Sequence, residues 1–454
     1  NNFFVLLFMK FFLKRLYFNY ILFFCAFGLF GGNESHIFFN QSNSHNNNTY
    51  PYDDFFKINS EDLFKVNYSV HSLITNVSPS NIFNFSILNV HNDFSAYIFA
   101  QSSYGKTGKY ELGTPFDKSG VVSRINKAII GYQKPNFSIF FGRASPVWGM
   151  NKASSIILSG QSGGFDHFLT NIIGDKVSLQ MLHGQLNSEF TTDGVRIARN
   201  IAGHKFNWQI NSYSFLSIGE TVIYAGENRG IELVYLNPFV PYFFSALEGQ
   251  QKNRFADNTN SMIFFYGRTI IKNEIEIFFE LIIDDYQIDK TNVPNSIGTK
   301  IGLQKNFKYA NFPFELIISN TNIDSRVYLH RSNYTSWNYF SHSLGDPFGP
   351  DQHTNKIILN TKSDKIYNVH LDIAAVHKGN QFFDDKSGVF NGSETIITSK
   401  KYLFGNLNIS LHHKSLMLRI GWHNKPFPLE LSNGQKYISN HSNGTYYLSI
   451  NFRK

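Results

Sequence analysis

A two-residue alternation of apolar and polar side chains recurs from about Asn81 to the last residues of the sequence, and it constrains the fold more than any other feature. In "KIYNVHLDIAAVH", Tyr367, Val369, Leu371 and Ile373 alternate with Ile366, Asn368, His370 and Asp372. Successive side chains of a strand point to opposite faces, so this spacing collects the apolar groups on one side. "NEIEIFFEL" repeats the rule, with Ile275, Ile277, Phe279 and Leu281 opposing Glu274, Glu276 and Glu280, and "GNLNISLHH" and "SLMLRIGW" follow it. Beyond the N-terminal segment no long helical period is present, while Gly, Asn, Asp and Pro mark turns roughly every ten to fifteen residues.

Alternation suits a soluble sandwich or a membrane barrel, and composition separates the two. A sandwich hides an aliphatic face in its core, whereas a membrane barrel turns that face to lipid and gathers aromatic residues at both interfaces. Aromatic residues make up 17% of this chain, with 47 Phe and 24 Tyr, and charged residues only 16%. The opposite face carries Glu, His, Asp, Asn and Lys in rows, which a hydrated or plugged lumen tolerates and a dry core does not. "GTYYLSINFRK" sets Tyr446, Leu448, Ile450 and Phe452 on one side, as a closing outer-membrane strand does. The expected fold is all-β: a transmembrane antiparallel β-barrel of the outer membrane. At roughly 20 residues per strand and connection, the length after residue 81 fits about sixteen to eighteen strands.

The N-terminal part reads differently. From Met9, Lys10, Lys14 and Arg15 precede an apolar stretch from Tyr20 to Phe30, and Ala26-Phe27-Gly28 offers small residues for cleavage. This pattern predicts upstream residues followed by a signal peptide from Met9 within residues 1–32, with an uncleaved anchor as the alternative. The single cysteine, Cys25, lies inside it, so a cleaved chain would carry no thiol. Residues 33–81 are Asn/Ser-rich with one weakly helical patch at "SEDLFKVN" and are expected to be flexible; the barrel is expected over 82–454. The net charge of +8 comes from 41 Lys plus Arg against 33 Asp plus Glu, scattered rather than clustered. Scattered charge gives no nucleic-acid arm and leaves attraction to an acidic polymer as the sharper reading.

"FFGRASPVWGMNKASSIILSG", from Phe140 to Gly160, interrupts the alternation. Gly142 and Gly149 permit backbone geometry that other residues resist, and Pro146 ends ladder pairing, so the stretch reads as a strand-to-loop corner. A second reading gives Arg143 a sugar carboxylate and Trp148 a stacked sugar ring. The stretch resembles the signature of the Wzi-type capsule-assembly outer-membrane proteins, carried here by Gly142, Arg143, Trp148, Gly149, Leu158 and Ser159. "IAGHKFNWQI" with "VIYAGENRGIELVYLNPFVPYFFSALEG" (222–249, including Asn237 and Pro238), "ELIIDDYQID" (280–289) and "SLGDPFGPD" (343–351) agree with that family's later blocks. The resemblance implies an outer-membrane barrel of about eighteen strands that associates with surface polysaccharide and helps capsule or exopolysaccharide assemble or stay attached. It also implies a periplasmic helical cap, for which residues 33–81 show little helical periodicity.

The remaining candidates follow from their neighbours. Glu227, Asn228 and Arg229 between Gly226 and Gly230 are expected to form a second corner, with Glu227 and Arg229 paired in a lumen network. Asp284 and Asp285 point to opposite faces, so they are expected to make turn or lumen contacts rather than share a cation. Trp337 and Tyr339 in "HRSNYTSWNYFSHS" join Arg143 and Trp148 as surface platforms for polysaccharide. Gly160-Gln161-Ser162-Gly163-Gly164 satisfies a nucleophile-elbow pattern if "FDHFLTNII" is helical, which would make the chain a serine hydrolase. The main rival is a general porin, against which "LNPFVPYFFSALEGQQKNRFADNTN" would argue by folding inward. No catalytic residue, cofactor or metal is expected, and the anticipated partners are polysaccharide and outer-membrane lipid around a monomeric barrel.

Overall fold

The computed structural model describes residues 63–75, 80–104, 116–118, 121–150, 154–242, 244–245, 258–272, 274–285, 295–309, 312–330, 332–361, 367–379, 381, 383, 400–413, 416–423 and 445–453. The expected signal peptide with Cys25, and residues 33–62, lie outside the described residues.

The strands run in chain order. The first eleven are β1 (Leu63–Thr75), β2 (Ser80–His91), β3 (Phe94–Tyr104), β4 (Phe116–Lys118), β5 (Val121–Lys134), β6 (Phe137–Ala144), β7 (Phe165–Ile173), β8 (Val177–Gln185), β9 (Glu189–Phe190), β10 (Arg196–Gln209) and β11 (Ser214–Glu227). The rest are β12 (Thr259–Ile271), β13 (Ile275–Asp285), β14 (Ser296–Tyr309), β15 (Phe312–Ile323), β16 (Asn338–Tyr339), β17 (His342–Ser343), β18 (Gln352–Thr361), β19 (Tyr367–Lys378), β20 (Lys400–His413), β21 (Leu416–His423) and β22 (Thr445–Arg453). Twenty of them form one sheet, in which β4 and β9 are short flanking pieces, so among the described residues eighteen strands make the wall. Every wall strand pairs antiparallel with its neighbours along the chain, and β22 closes on β1, from Ser69 opposite Arg453 to Thr75 opposite Tyr447. Closure leaves no free edge, which is the condition for a sheet to cross hydrocarbon. Among the described residues no helix is long and apolar enough to span a membrane.

The barrel therefore begins at Leu63, inside the region expected to be flexible, and the patch read as weakly helical enters β1. Phe64, Val66, Tyr68 and Val70 alternate with Lys65, Asn67, Ser69 and His71, a strand period diluted by its Asn-rich surroundings.

Burial is inverted relative to a soluble protein. On β14 the inward Lys300 is 1% exposed while its neighbour Ile301 is 63% exposed. Ile98, Ile130, Ile172, Ile218, Ile357 and Leu407 are likewise bare on the outside. The apolar face of "NEIEIFFEL" points out, with Ile277 and Phe279 exposed and Glu280 buried. In "KIYNVHLDIAAVH", Ile373 is exposed while Asp372 faces Lys356 inside at 3.6 Å. Inward polar groups satisfy one another across strands: Asn171 links Ser138 (2.6 Å) to Gln180 (2.5 Å), and Glu315 accepts from Gln304 (2.6 Å) and Asn360 (3.2 Å).

The two ends differ. Short turns such as Asn92–Asp93 and residues 135–136 and 210–213 lie at one end, where the wall also starts at Leu63 and finishes at Arg453. Long connections, including 145–164, 228–258 and 324–351, lie at the other. Phe94 against Tyr132 (4.9 Å), Trp208, Tyr213 and Tyr309 mark the short-turn end as an aromatic girdle. Because lipid contact is strongest at mid-height, Ile301→Arg is expected to cost about 2–4 kcal/mol and Tyr309→Arg about 0–1 kcal/mol. Urea titration of the refolded protein in lipid vesicles measures both; equal costs would place the greasy face away from hydrocarbon.

Candidate functional site

The site is the lumen, and the described parts of two long loops fold into it. The first leaves the wall at the Gly-Arg corner. Gly142 has φ +130, and a Cβ there would stand 2.1 Å from the Ala128 carbonyl oxygen, so only glycine fits beside β5. Arg143 then binds Asp166 through two parallel hydrogen bonds, Nε to Oδ1 at 3.0 Å and Nη2 to Oδ2 at 2.7 Å. This pair sits on the outer face, one register step beyond the stacked rings of Phe141 and Phe168.

Past Ala144 the chain turns inward. Trp148 and Leu158 exchange backbone hydrogen bonds at 3.0 and 3.2 Å, closing a small inner loop. Gly149 at φ +109 makes the tight turn, where a Cβ would come within 2.1 Å of Ser155 Oγ. The stretch "SSIILS" thus stays inside the lumen, and the wall resumes only at Phe165, a residue range later than the sequence suggests.

One carboxylate organises this loop. Glu280 projects inward from β13 and accepts the backbone N–H groups of Met150 and Ile156, both at 2.7 Å, and the Ser155 hydroxyl at 3.0 Å. Lys300, its register partner on β14, donates to the Ser154 carbonyl. A buried carboxylate is tolerated when its lone pairs are filled and a cation stands beside it, and both conditions hold here. Trp148 packs beneath, 5.6 Å from Phe264 and 5.3 Å from the Lys205 ammonium, which itself donates to Tyr266 at 2.6 Å.

The second loop, 324–351, packs on the first. Asp284 accepts the Tyr328 N–H at 2.8 Å, and the Tyr328 hydroxyl donates to the Ile156 carbonyl. Burial pushes the Tyr328 phenol well above its usual range, so it stays a neutral donor. Trp337 donates its indole N–H to the Ile157 carbonyl at 2.9 Å, and Ser159 N–H reaches Leu344 O at 2.8 Å. From β10, Arg199 donates to the carbonyls of Tyr334 (2.6 Å), Ser336 (2.9 Å) and Asn338 (3.0 Å) and pairs with Glu189 at 3.0 Å. β16 and β17 form the hairpin at the tip of this loop.

Several expectations are corrected by this geometry. Trp148 (1% exposed) and Trp337 (0%) are not surface platforms but anchors of the lumen fold, and Tyr339 is buried against Phe165 at 5.9 Å. Arg229 pairs with Glu232 at 2.7 Å rather than with Glu227, which is exposed. The reason is Asn228, whose φ of +54 turns the chain out of the strand and separates the two neighbours. Asn237 caps a local turn by accepting the Phe239 N–H at 3.1 Å, with Pro238 between. Asp285 ends β13 after a register shift that follows Ile283. "FDHFLTNII" is strand β7, so Ser162 lacks the strand-turn-helix setting of a nucleophile elbow. The segment after Leu236, expected to fold inward, lies outside the wall over its described residues, with Tyr242 on the outward Ala202 and Val222. Glu280, Lys300 and Arg199 were not singled out from sequence, although Glu280 already stood on the polar face of an alternating strand.

The fold and the filled lumen define an outer-membrane-type β-barrel with an internal plug of loops. No family model and no curated protein sequence matches the chain. Among solved structures, it is similar to Wzi of Escherichia coli, with 12% identity, a TM-score of 0.58, and coverage of 85% of this chain and 84% of that one. Wzi is described as an outer-membrane protein involved in group 1 capsule assembly and as a carbohydrate-binding β-barrel. OccD3 (OpdP) of Pseudomonas aeruginosa also aligns, at 11% identity, a TM-score of 0.47, and coverage of 86% and 91%. At these identities the likeness is one of fold.

Trp337→Ala removes the ring that joins the two loops and is expected to destabilise the plug by about 3–5 kcal/mol. Faster amide exchange across 145–164, with the wall strands unchanged, is the expected reading. Native-like exchange there would show that the plug does not depend on Trp337.

Proposed function

We propose that this chain is an outer-membrane barrel that binds surface polysaccharide and supports the assembly or attachment of capsule or exopolysaccharide. The observation that carries this reading is the lumen itself: loops 145–164 and 324–351 fold into it and are fixed there by Glu280, Lys300 and Arg199. Fixed internal packing narrows the path for passive flux, and it gives a binding protein a rigid platform at its long-loop end. The Wzi-like fold and the net charge of +8 support the same reading, the latter by favouring an acidic polymer. The loops act without covalent chemistry, through many weak contacts that add along a repeating chain.

Burial shifts the sugar-contact candidates. With Trp337 and Tyr339 enclosed, the exposed aromatic ring of that loop is Phe340, held edge-on to Tyr339 at 4.7 Å. Arg143 remains a candidate because its guanidinium, though paired, stays partly open at the outer rim. Purified protein in liposomes is expected to retain acidic polysaccharide on co-sedimentation and to give no large, stable conductance in a planar bilayer. Wide, steady channels without retention would assign the chain to the porins instead. Phe340→Ala is expected to weaken retention about threefold to tenfold, the loss of one stacking contact, with the plug intact by amide exchange. Undiminished binding would remove Phe340 from the surface.

A further inference from the structure

Outward positions on a membrane wall are exposed unless something lies over them, and in one sector they are covered. Gly203 faces the lumen, since a Cβ there would meet the Trp148 ring at 2.6 Å. Its neighbours Ala202 and His204 therefore point outward. Yet Ala202 and Val222, opposite each other on β10 and β11, are both 0% exposed.

The cover is the segment that follows β11. Tyr235 and Tyr242 pack on Ala202, Val222 and Tyr224, and Tyr235 stacks on Tyr224 at 4.6 Å. Arg229 lies over the Tyr224 ring at 4.8 Å while its guanidinium reaches Glu232, Thr259 and the carbonyls of Ala225 and Asn258. The Tyr242 N–H donates to Glu220 at 2.6 Å, the Asn200 amide donates to the Arg229 carbonyl at 3.1 Å, and His204 meets the Tyr242 ring at 4.6 Å. Tyr224 and His183 share a hydrogen bond at 2.8 Å. His183, Asn200, His204, Glu220 and Tyr224 thus form a polar patch on the outer side of β8, β10 and β11, closed over by one segment.

The height of the patch decides what surrounds that segment. Trp208 and Tyr213 mark the short-turn interface. A strand tilted about 40° climbs about 2.5 Å per residue, so an apolar band about 25 Å tall extends about ten residues above them. His204, Asn200, Glu220 and Val222 fall inside that band, and Tyr224 stands at its upper border. On the side of the segment away from the wall, Leu233 is 80% and Phe239 78% exposed, and Ile231, Leu236 and Phe244 are also bare. Below the segment the bare surface continues into Ile218, an outward residue of β11.

We propose that residues 231–242 form a lid embedded in the leaflet nearer the long loops, with Arg229 at its upper border, Leu233 and Phe239 among acyl chains, and the inner side sealing this polar patch from hydrocarbon. The occupant of the outer side is lipid rather than a second copy, because the lid's apolar surface is continuous with the lipid-facing wall. The inference rests on the barrel and its orientation, not on the polysaccharide reading.

Nitroxide labels on Leu233→Cys and Phe239→Cys, placed in a Cys25→Ser background and reconstituted in liposomes, test it. Ile301→Cys serves as the lipid reference and Asn333→Cys as the aqueous one. The ratio of oxygen to water-soluble nickel-chelate accessibility at 233 and 239 is expected to be several-fold above that at 333 and to group with 301. A ratio grouping with 333 would overturn the lid. Spin–spin broadening that disappears on dilution with unlabelled protein would assign the surface to a second copy and overturn it as well.

Discussion

Backbone hydrogen bonding in a medium without water is the constraint from which the rest follows. Each unpaired N–H or C=O in hydrocarbon costs several kcal/mol, so the sheet must close, and β22 on β1 closes it. Closure of antiparallel strands fixes the alternation, because each residue must then face either lipid or lumen. Ile301 and Lys300 are adjacent in the chain and opposite in environment for this reason.

An enclosed interior lined with polar groups would hold water unless something displaced it. Here the described parts of loops 145–164 and 324–351 pack into it, and the wall supplies the charges that hold them. Glu280 does for two backbone amides what a strand neighbour would do, and Arg199 does the same for three carbonyls. The glycines at 142 and 149 permit the entry, since neither position has room for a side chain. The lumen is therefore a second folded layer built on the first, with apolar rings such as Trp148, Trp337 and Tyr328 at its centre.

The wall was legible in the sequence because a period of two needs no tertiary knowledge. Ile277, Phe279, Ile373 and Leu407 carry it directly, and the length after residue 81, at roughly 20 residues per strand and connection, set the strand number within narrow limits. Similarity to Wzi in fold agrees with the resemblance carried by the Gly142–Ser159 stretch. The first strand was missed because its alternation lies among Asn and Ser residues that dilute the signal. Loop interiors were the harder case. Trp337 and Tyr339 stand in a polar context that reads as surface, and they are buried by groups remote in sequence, Trp337 by the partner loop and Tyr339 by Phe165 of the wall. The direction taken by "IELVYLNPFVPY" was equally hidden, since a Tyr-rich segment suits the inside or the outside of a wall. Arg229 and Glu227 show the local version of the problem: one left-handed residue between them undoes the pairing that strand spacing suggests.

The plug also sets an order of events. Glu280 grips residues 130 and 124 positions earlier in the chain, and Trp337 reaches back 180 positions to Ile157. The segment between β6 and β7 is synthesised long before the groups that hold it, and such distant contacts are slow to form. Its native partners lie on β13, β14 and the loop before β18. The interior, like the closure of β22 on β1, is thus a product of remote pairings, and no contiguous stretch of the chain can hold its tryptophans by itself.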